Sequence, residues 1–397
     1  MTTARIRPLF LPLLIALAVL LCPGTAAPAI AQGEPTPSAA IRGAMQEFID
    51  AGEIAGAVAV VGDSRGLVSL VAVGRRDIEG NLPMEENTLF RIASMTKPIT
   101  ALGVLILADE GRLAIDDPVE KHLPEFRGQA MAAGGRPSRP IILRDLLTHT
   151  SGLPDGSPPG SRAGPATTLE DAAGIFATRP LSFEPGSRWS YSNAGMGTLG
   201  RVIEVASGQS YEAFLKGRLF DPLAMKDTTF YPDPGQMKRL ATTYDRGGRL
   251  VAVASSRVAP ARDKRHPGPA GGLYSTGPDL ARIDRMLLGL GTLDGRRYLA
   301  GPTLAEMTRL QTGDFQAGFT RGMGFGLGVG IVRRPTGVTA MLSPGSFGHG
   351  GAYGTQNWVD PHKGRFAILL IQRVGLESID DTPMRLALQR IAFEGRD

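Results

Sequence analysis

The chain has 397 residues, one cysteine, five histidines and a net charge of +5. A lone cysteine excludes an internal disulfide, the histidines (122, 149, 266, 349 and 362) form no H-E-x-x-H or other close ligand pair, and no basic run with interleaved aromatics argues for nucleic acid. With 42% hydrophobic residues the chain can bury the core of one large domain or two closely packed ones.

Residues 1–31 read as a signal peptide. Arg5 and Arg7 form a charged start, Leu9 to Leu21 an apolar run too short for a bilayer span, and Ala29-Ile30-Ala31 a small-residue cleavage site before Gln32. The expected location is periplasmic or secreted. Cys22 lies inside this leader, so the mature chain has no thiol for catalysis or metal binding, and neither metal nor cofactor is expected. No second long apolar segment follows, so no membrane span is expected in the mature chain, nor an obligate protein partner.

Ile41, Met45, Phe48 and Ile49 recur at helical spacing, which predicts a helix to about Ala51. Gly56 to Val61 and Leu67 to Val73 read as two strands split by the turn Asp63-Ser64-Arg65-Gly66. A helix is predicted from about Ser94 to Glu110, closed by Gly111, with Pro98 early enough to be harmless. Two loop-like tracts follow, 132–137 and 155–165. Helical pieces come next at 169–177, 195–206, 211–219 and 278–290, then strand-like runs at 326–332, 354–359 and 366–372. Thr382-Pro383 opens a last helix carrying Met384, Leu388 and Ile391 on one face. Strands at both ends and helices between them predict an α/β (α+β) fold. An antiparallel sheet flanked by helices is built from about 38–125 and 291–397, and a mainly helical part, about 126–290, is inserted.

Three motifs carry the chemistry. In Ser94-Met95-Thr96-Lys97 the serine and lysine fall one helical turn apart, on one face. A serine hydroxyl needs such a neighbouring base to attack a carbonyl. The apolar lead-in Leu89 to Ala93 suggests a buried helix start, and burial lowers a lysine pKa toward that of a usable base. One S-x-x-K tetrad arises by chance about once or twice in a chain this long, so the weight rests on the two motifs that follow in order. Tyr191-Ser192-Asn193 offers a phenol for proton transfer, useful if a cation such as Lys97 stands nearby. It also offers an amide that reaches substrate or Lys97, or that serves only as a turn or cap. His349-Gly350-Gly351 precedes a strand-like run from Ala352 to Val359. An edge strand there would present a backbone N–H to a developing oxyanion, with glycines allowing close approach. His149 reads as structural.

On these residues the chain resembles the serine β-lactamase and penicillin-binding-protein superfamily, nearest its class C branch and the related family VIII type carboxylesterases. The resemblance runs from about Ile41 to the last helix and includes Leu146 to Leu153, Pro185-Gly186 and Ala270-Gly271-Gly272-Leu273. It implies a β-lactamase/transpeptidase-like fold and an acyl-enzyme on Ser94, with Lys97 and Tyr191 sharing acid/base duty. It also implies an oxyanion hole from the N–H groups of Ser94 and Ala352, with Asn193, His349, Gly350 and Gly351 lining the substrate.

The third motif departs from the lactamase K-T-G. A histidine near its ordinary pKa of about 6.5 is mostly neutral at pH 7, and glycine has no hydroxyl, so a substrate carboxylate loses its anchor. The expected activity is a carboxylesterase on small uncharged esters, the substrate being a small ester, amide or lactam. A D,D-peptidase or weak β-lactamase is the alternative, and a silent relative that binds cell-wall fragments or a protein partner is the third reading.

Overall fold

Both ends of the chain feed one sheet. The computed structural model describes residues 36–155, 168–246, 249–254 and 266–394 together with the first two. Residues 3–35, on which most of the expected leader and its expected cleavage point after Ala31 fall, and nearly all of the 155–165 loop, lie outside the described residues. The N-terminal part supplies β1 (Gly56–Asp63), β2 (Leu67–Asp77) and β3 (Leu82–Pro83). The C-terminal part supplies β4 (Met323–Phe325), β5 (Gly330–Val332), β6 (Phe347–Gly350), β7 (Gln356–Asp360) and β8 (Arg365–Leu370). Their order is β4-β5-β6-β7-β8-β1-β2-β3, and every pairing is antiparallel. The two ends of the chain meet at β1 and β8, with Val58 opposite Leu370 and Ala59 opposite Leu369.

These central strands are apolar throughout because both faces are covered. Side chains alternate across a strand, so Val58 and Val60 of β1 join Phe366, Ile368 and Leu370 of β8 in one core. Ala57, Ala59 and Val61 join Ala367 and Leu369 in the other. Among the described residues, the helices of eight residues or more are α1 (Pro37–Asp50), α2 (Thr96–Asp109), α3 (Leu169–Ala177), α4 (Asn193–Ser207), α5 (Gly277–Leu288), α6 (Gly301–Thr308) and α7 (Pro383–Glu394). Helices α1 and α7 close the second core, burying Ile41, Met45, Met384, Leu388 and Phe393. Each such side chain contributes about 1.5–3 kcal/mol by leaving water.

Two expectations are corrected here. The run 326–332 is not one strand: Gly326 N–H donates to Val329 O at 2.8 Å, making a turn between β4 and β5. The helix assigned to the inserted part at 278–290 is α5, and it packs on β1 and β8. A β-carbon built on its Gly277 would lie 2.8 Å from a Val60 methyl. The inserted helical part proper has α4 packed between α2 and α3.

On the sheet side of α5, Asp284 is fully buried, and its Oδ1 accepts from Asn357 Nδ2 of β7 at 2.9 Å. Its Oδ2 has no partner among the described residues. Burial pushes its pKa from the ordinary 3.8 to about 8. Across that window the unfolded chain holds the group ionised while the folded chain keeps it protonated. Raising the pH therefore removes stability, with a slope of at most about 1.4 kcal/mol per unit. In urea melts at pH 5 and pH 8, Asp284→Asn should be favoured over the parent at the higher pH, and its own stability should vary less across the two. An unchanged pH dependence would mean that Asp284 is ionised in the folded protein.

Candidate active site

The first turn of α2 is where the expected residues converge. Ile99 to Leu107 are buried on every side of this helix, so a lysine at its start has no face along which to reach water. Lys97 is 0% exposed. Ser94 precedes it in a short 3-10 turn, Ala93–Met95, and is itself only half-buried. Ala93 holds φ at +46°, a left-handed conformation uncommon for a residue with a β-carbon and frequent where a fold fixes a functional group. Pro98 falls in the first turn, where helix N–H groups lack partners anyway.

Three oxygens surround the Lys97 amine. Nζ lies 3.1 Å from Ser94 Oγ, 2.8 Å from Asn193 Oδ1 and 2.6 Å from the Ala270 carbonyl. Two of these can only accept. A neutral amine has two N–H donors for those two acceptors, and its lone pair is then left for the Ser94 hydroxyl proton. The pKa agrees with that count: burial lowers it to about 7, against an opposing pull from the Asp155 carboxylate. The Ala270 carbonyl is held in turn, because Thr100 Oγ1 of α2 donates to Pro269 O at 2.7 Å and Leu273 N–H donates to Thr96 Oγ1 at 3.2 Å.

Tyr191 reaches the same serine, its hydroxyl donating to Ser94 Oγ at 2.8 Å. Burial holds the phenol well above its ordinary pKa of 10, so it stays a proton donor near neutral pH. Lys97 Nζ sits 4.6 Å from the centre of its ring. Asn193 is the first residue of α4, after the cap Ser192, whose Oγ accepts from Gly195 N–H at 3.1 Å. While Oδ1 takes the Lys97 bond, Asn193 N and Nδ2 donate to Asp155 at 2.8 and 3.1 Å. The helix-start and lysine-binding roles left open by the sequence are therefore both filled. His149, with φ at +60°, accepts from Ser192 N–H through Nδ1 at 3.2 Å and stacks 4.7 Å from the Tyr191 ring. Burial holds its pKa well below the ordinary 6.5 and keeps it neutral. It positions Tyr191 and is structural in that sense.

His349 and Gly350 end β6. The run expected at the edge, 352–359, forms β7, fourth from the sheet edge, and β6 is third from it. Its pairing with β5 covers only Phe347 and Gly348, so residues 349–351 have no β5 partner and behave as an edge locally. The turn after Gly351 lies against Ile92 and Ala93: a β-carbon on Gly351 would fall 2.5 Å from Ile92 O and 2.2 Å from Thr355 Oγ1. Thr355 Oγ1 donates to Ile92 O at 3.2 Å, locking the turn to the chain just before Ser94. The Ala352 N–H donates to no backbone carbonyl among the described residues. His349 is pushed by burial to about 4, further into the neutral form than its ordinary value implies.

Ala270 entered the sequence reading only within Ala270-Gly271-Gly272-Leu273, with no role given, and Asp155 and Asp380 were missed. Each reaches the site by a long-range connection that leaves no local pattern. The Asp380 carboxylate occupies the place a side chain at 350 would take: a β-carbon there would lie 1.9 Å from its Oδ1. Among the described residues no cluster of three metal-type side chains occurs, and no helix is long and apolar enough to cross a membrane.

A family model described as Beta-lactamase matches residues 41–390. The chain is 36% identical over 365 residues to Protein Rv1367c of Mycobacterium tuberculosis, covering 85% of this chain and 90% of that protein. It is 32% identical over 381 residues to Esterase EstB of Burkholderia gladioli, covering 86% and 91%. Among solved structures, EstCE1, titled a hydrolase with promiscuous acyltransferase activity, matches with a TM-score of 0.76 at 26% identity, over 90% of this chain and 98% of that one.

The contacts of Gly351 predict a contrast between two glycines. Gly351→Ala should lower stability by about 1–3 kcal/mol, since its β-carbon meets backbone and a locked threonine. Gly43→Ala, in exposed helix α1 with nothing within 4 Å, should leave stability unchanged or raise it by up to about 1 kcal/mol. Thermal or urea melts read both. Equal melts for Gly351→Ala and the parent would show that the turn can move away from Ile92.

Proposed function

The chain belongs to the Beta-lactamase family of serine hydrolases, and within it we propose that it is a carboxylesterase acting on small uncharged esters through an acyl-enzyme on Ser94. One observation carries the reading: a buried amine whose two N–H groups face carbonyl oxygens and whose third neighbour is the Ser94 hydroxyl. The neutral Lys97 amine takes the Ser94 proton as Oγ attacks the ester carbonyl. The Ser94 and Ala352 N–H groups stabilise the oxyanion. As the ester C–O bond breaks, the proton passes from Lys97 through the Tyr191 hydroxyl to the departing alcohol. Water then attacks the acyl carbonyl as Lys97 takes its proton, and the bond to Ser94 Oγ breaks as that proton returns to Oγ, releasing the acid. His349, Gly350 and Gly351 frame the oxyanion turn, and Asn193 with Asp155 aims the lysine.

The choice of esters over lactams has two supports. A neutral histidine and a glycine replace the lysine and threonine that would hold a substrate carboxylate, and the similarity to Esterase EstB runs nearly end to end. For the leader we propose export, on the strength of Arg5, Arg7, the Leu9–Leu21 run and the Ala29-Ile30-Ala31 site.

Ser94→Ala should abolish both p-nitrophenyl butyrate hydrolysis and covalent labelling by a fluorophosphonate. Persistent labelling would place the nucleophile elsewhere. Nitrocefin or D-Ala-D-Ala peptides turned over faster than short esters would replace the esterase reading by its alternative.

Acylation should rise through pH about 7, as Lys97 loses its proton, and then level off. Lys97→Ala should remove that limb and slow turnover by roughly a hundredfold. Asp155→Asn should move the limb to lower pH, because the Asp155 charge favours the protonated amine. A limb that stays put in Asp155→Asn would detach it from Lys97.

A further inference from the structure

Beside Tyr191 a pocket is lined by Phe319, Phe325, His349, Gly350, Trp358 and Asp380, and its polar side chains are strongly biased toward accepting hydrogen bonds. His349 Nδ1 lies 2.6 Å from the Gly350 carbonyl, which fixes Nδ1 as the protonated nitrogen. Nε2 is therefore left with a bare lone pair, and this buried atom has no partner among the described residues. The second acceptor is the Asp380 carboxylate, pressed against Gly350 where any side chain would exclude it. Thr320, whose hydroxyl also lacks a partner among the described residues, can donate or accept.

The carboxylate is held in place. Gln356 Nε2 donates to Asp380 Oδ1 at 3.1 Å and to Ile379 O at 2.7 Å, while Trp358 Nε1 donates to Gln356 Oε1 at 2.9 Å. Arg385, stacked 4.1 Å over Trp358, donates to the Asp380 backbone carbonyl at 2.6 Å. It makes no ion pair with the carboxylate, and among the described residues no other cation does either. The Phe319 ring, 5.1 Å from that of Tyr191, links this pocket to the Ser94 site.

We propose that Asp380 and His349 form a substrate subsite that takes a protonated amine or other N–H donor and rejects a carboxylate. Lacking the K-T-G side chains removes an attraction for anions. A fixed carboxylate at the same place adds a repulsion, which is a separate device for specificity. An ammonium has donors for both acceptors, and the Phe319 and Phe325 rings favour a cation over an anion. The subsite deepens the esterase reading by naming the charge its substrates carry or lack. Its test uses unreactive ligands, so that the two stand or fall separately.

Calorimetry with 4-phenylbutylamine and 4-phenylbutyrate measures the preference without any turnover. The amine should bind the parent protein at least about tenfold more tightly than the acid. In Asp380→Asn that ratio should fall by about tenfold, whereas Asp380→Glu should keep the amine ahead. In 1 M salt, where the screening length is about 3 Å, the ratio for the parent protein should shrink, a check that needs no variant. Equal binding of acid and amine by the parent, no detectable amine binding, or a ratio unchanged in both Asp380→Asn and high salt would overturn the subsite. Absence of ester turnover by the parent protein with the binding ratio intact would instead overturn the esterase reading and leave the subsite standing.

Discussion

An ammonium taken out of water without a carboxylate in contact is strongly disfavoured, and it sheds its proton rather than bear the full desolvation cost. Lys97 is in that position. It sits at the start of a helix buried all round, among a hydroxyl, an amide oxygen and a carbonyl, and Asp155, whose charge acts on it, accepts from Asn193. The distances around Nζ are hydrogen-bonding distances, but two of the three partners can only accept. Burial therefore favours the neutral amine, and with its two N–H groups on those acceptors its lone pair faces the one oxygen that has a proton to give.

Much of the surrounding structure keeps this arrangement from relaxing. The Ala270 carbonyl is fixed from α2 itself through Thr96 and Thr100. Asn193 is fixed by opening α4 and by Asp155. Tyr191 is wedged between His149 and Phe319. The sheet contributes the last piece. Because β5 pairs with only the first half of β6, the strand leaves its Gly350-Gly351 end free to lie along Ile92 and Ala93. In the proposed mechanism, the Ala352 N–H on that turn stabilises the oxyanion.

The parts of this design that are local in sequence were legible there. The three-position spacing of Ser94 and Lys97 fixes one helical turn, and the apolar residues around them announce burial. Alternation could not separate the central strands from buried helix because both faces are covered, yet the turn Asp63-Ser64-Arg65-Gly66 marked the first two as a hairpin. The run 326–332 was misread as one strand because a turn built of Gly326, Leu327 and Gly328 is as apolar as the strands it joins. Helix α5 was placed in the wrong part because its partners, Val58, Val60 and Leu370, lie far away in sequence. Asp155 and Asp380 carry no motif of their own, and only the folded chain brings them, with the Ala270 carbonyl, to Ser94 or to the strand beside it.

The central claim is that Lys97 is neutral when it meets the substrate, and nitrogen-15 NMR of the lysine side chains reads that directly. With Lys97→Arg used to assign the signal, one lysine Nζ should titrate near pH 7 while the solvent-exposed lysines titrate near their ordinary value of about 10.4. If the assigned Lys97 signal also titrates above pH 10, the amine is an ammonium at neutral pH. The account of how Ser94 is activated would then be wrong.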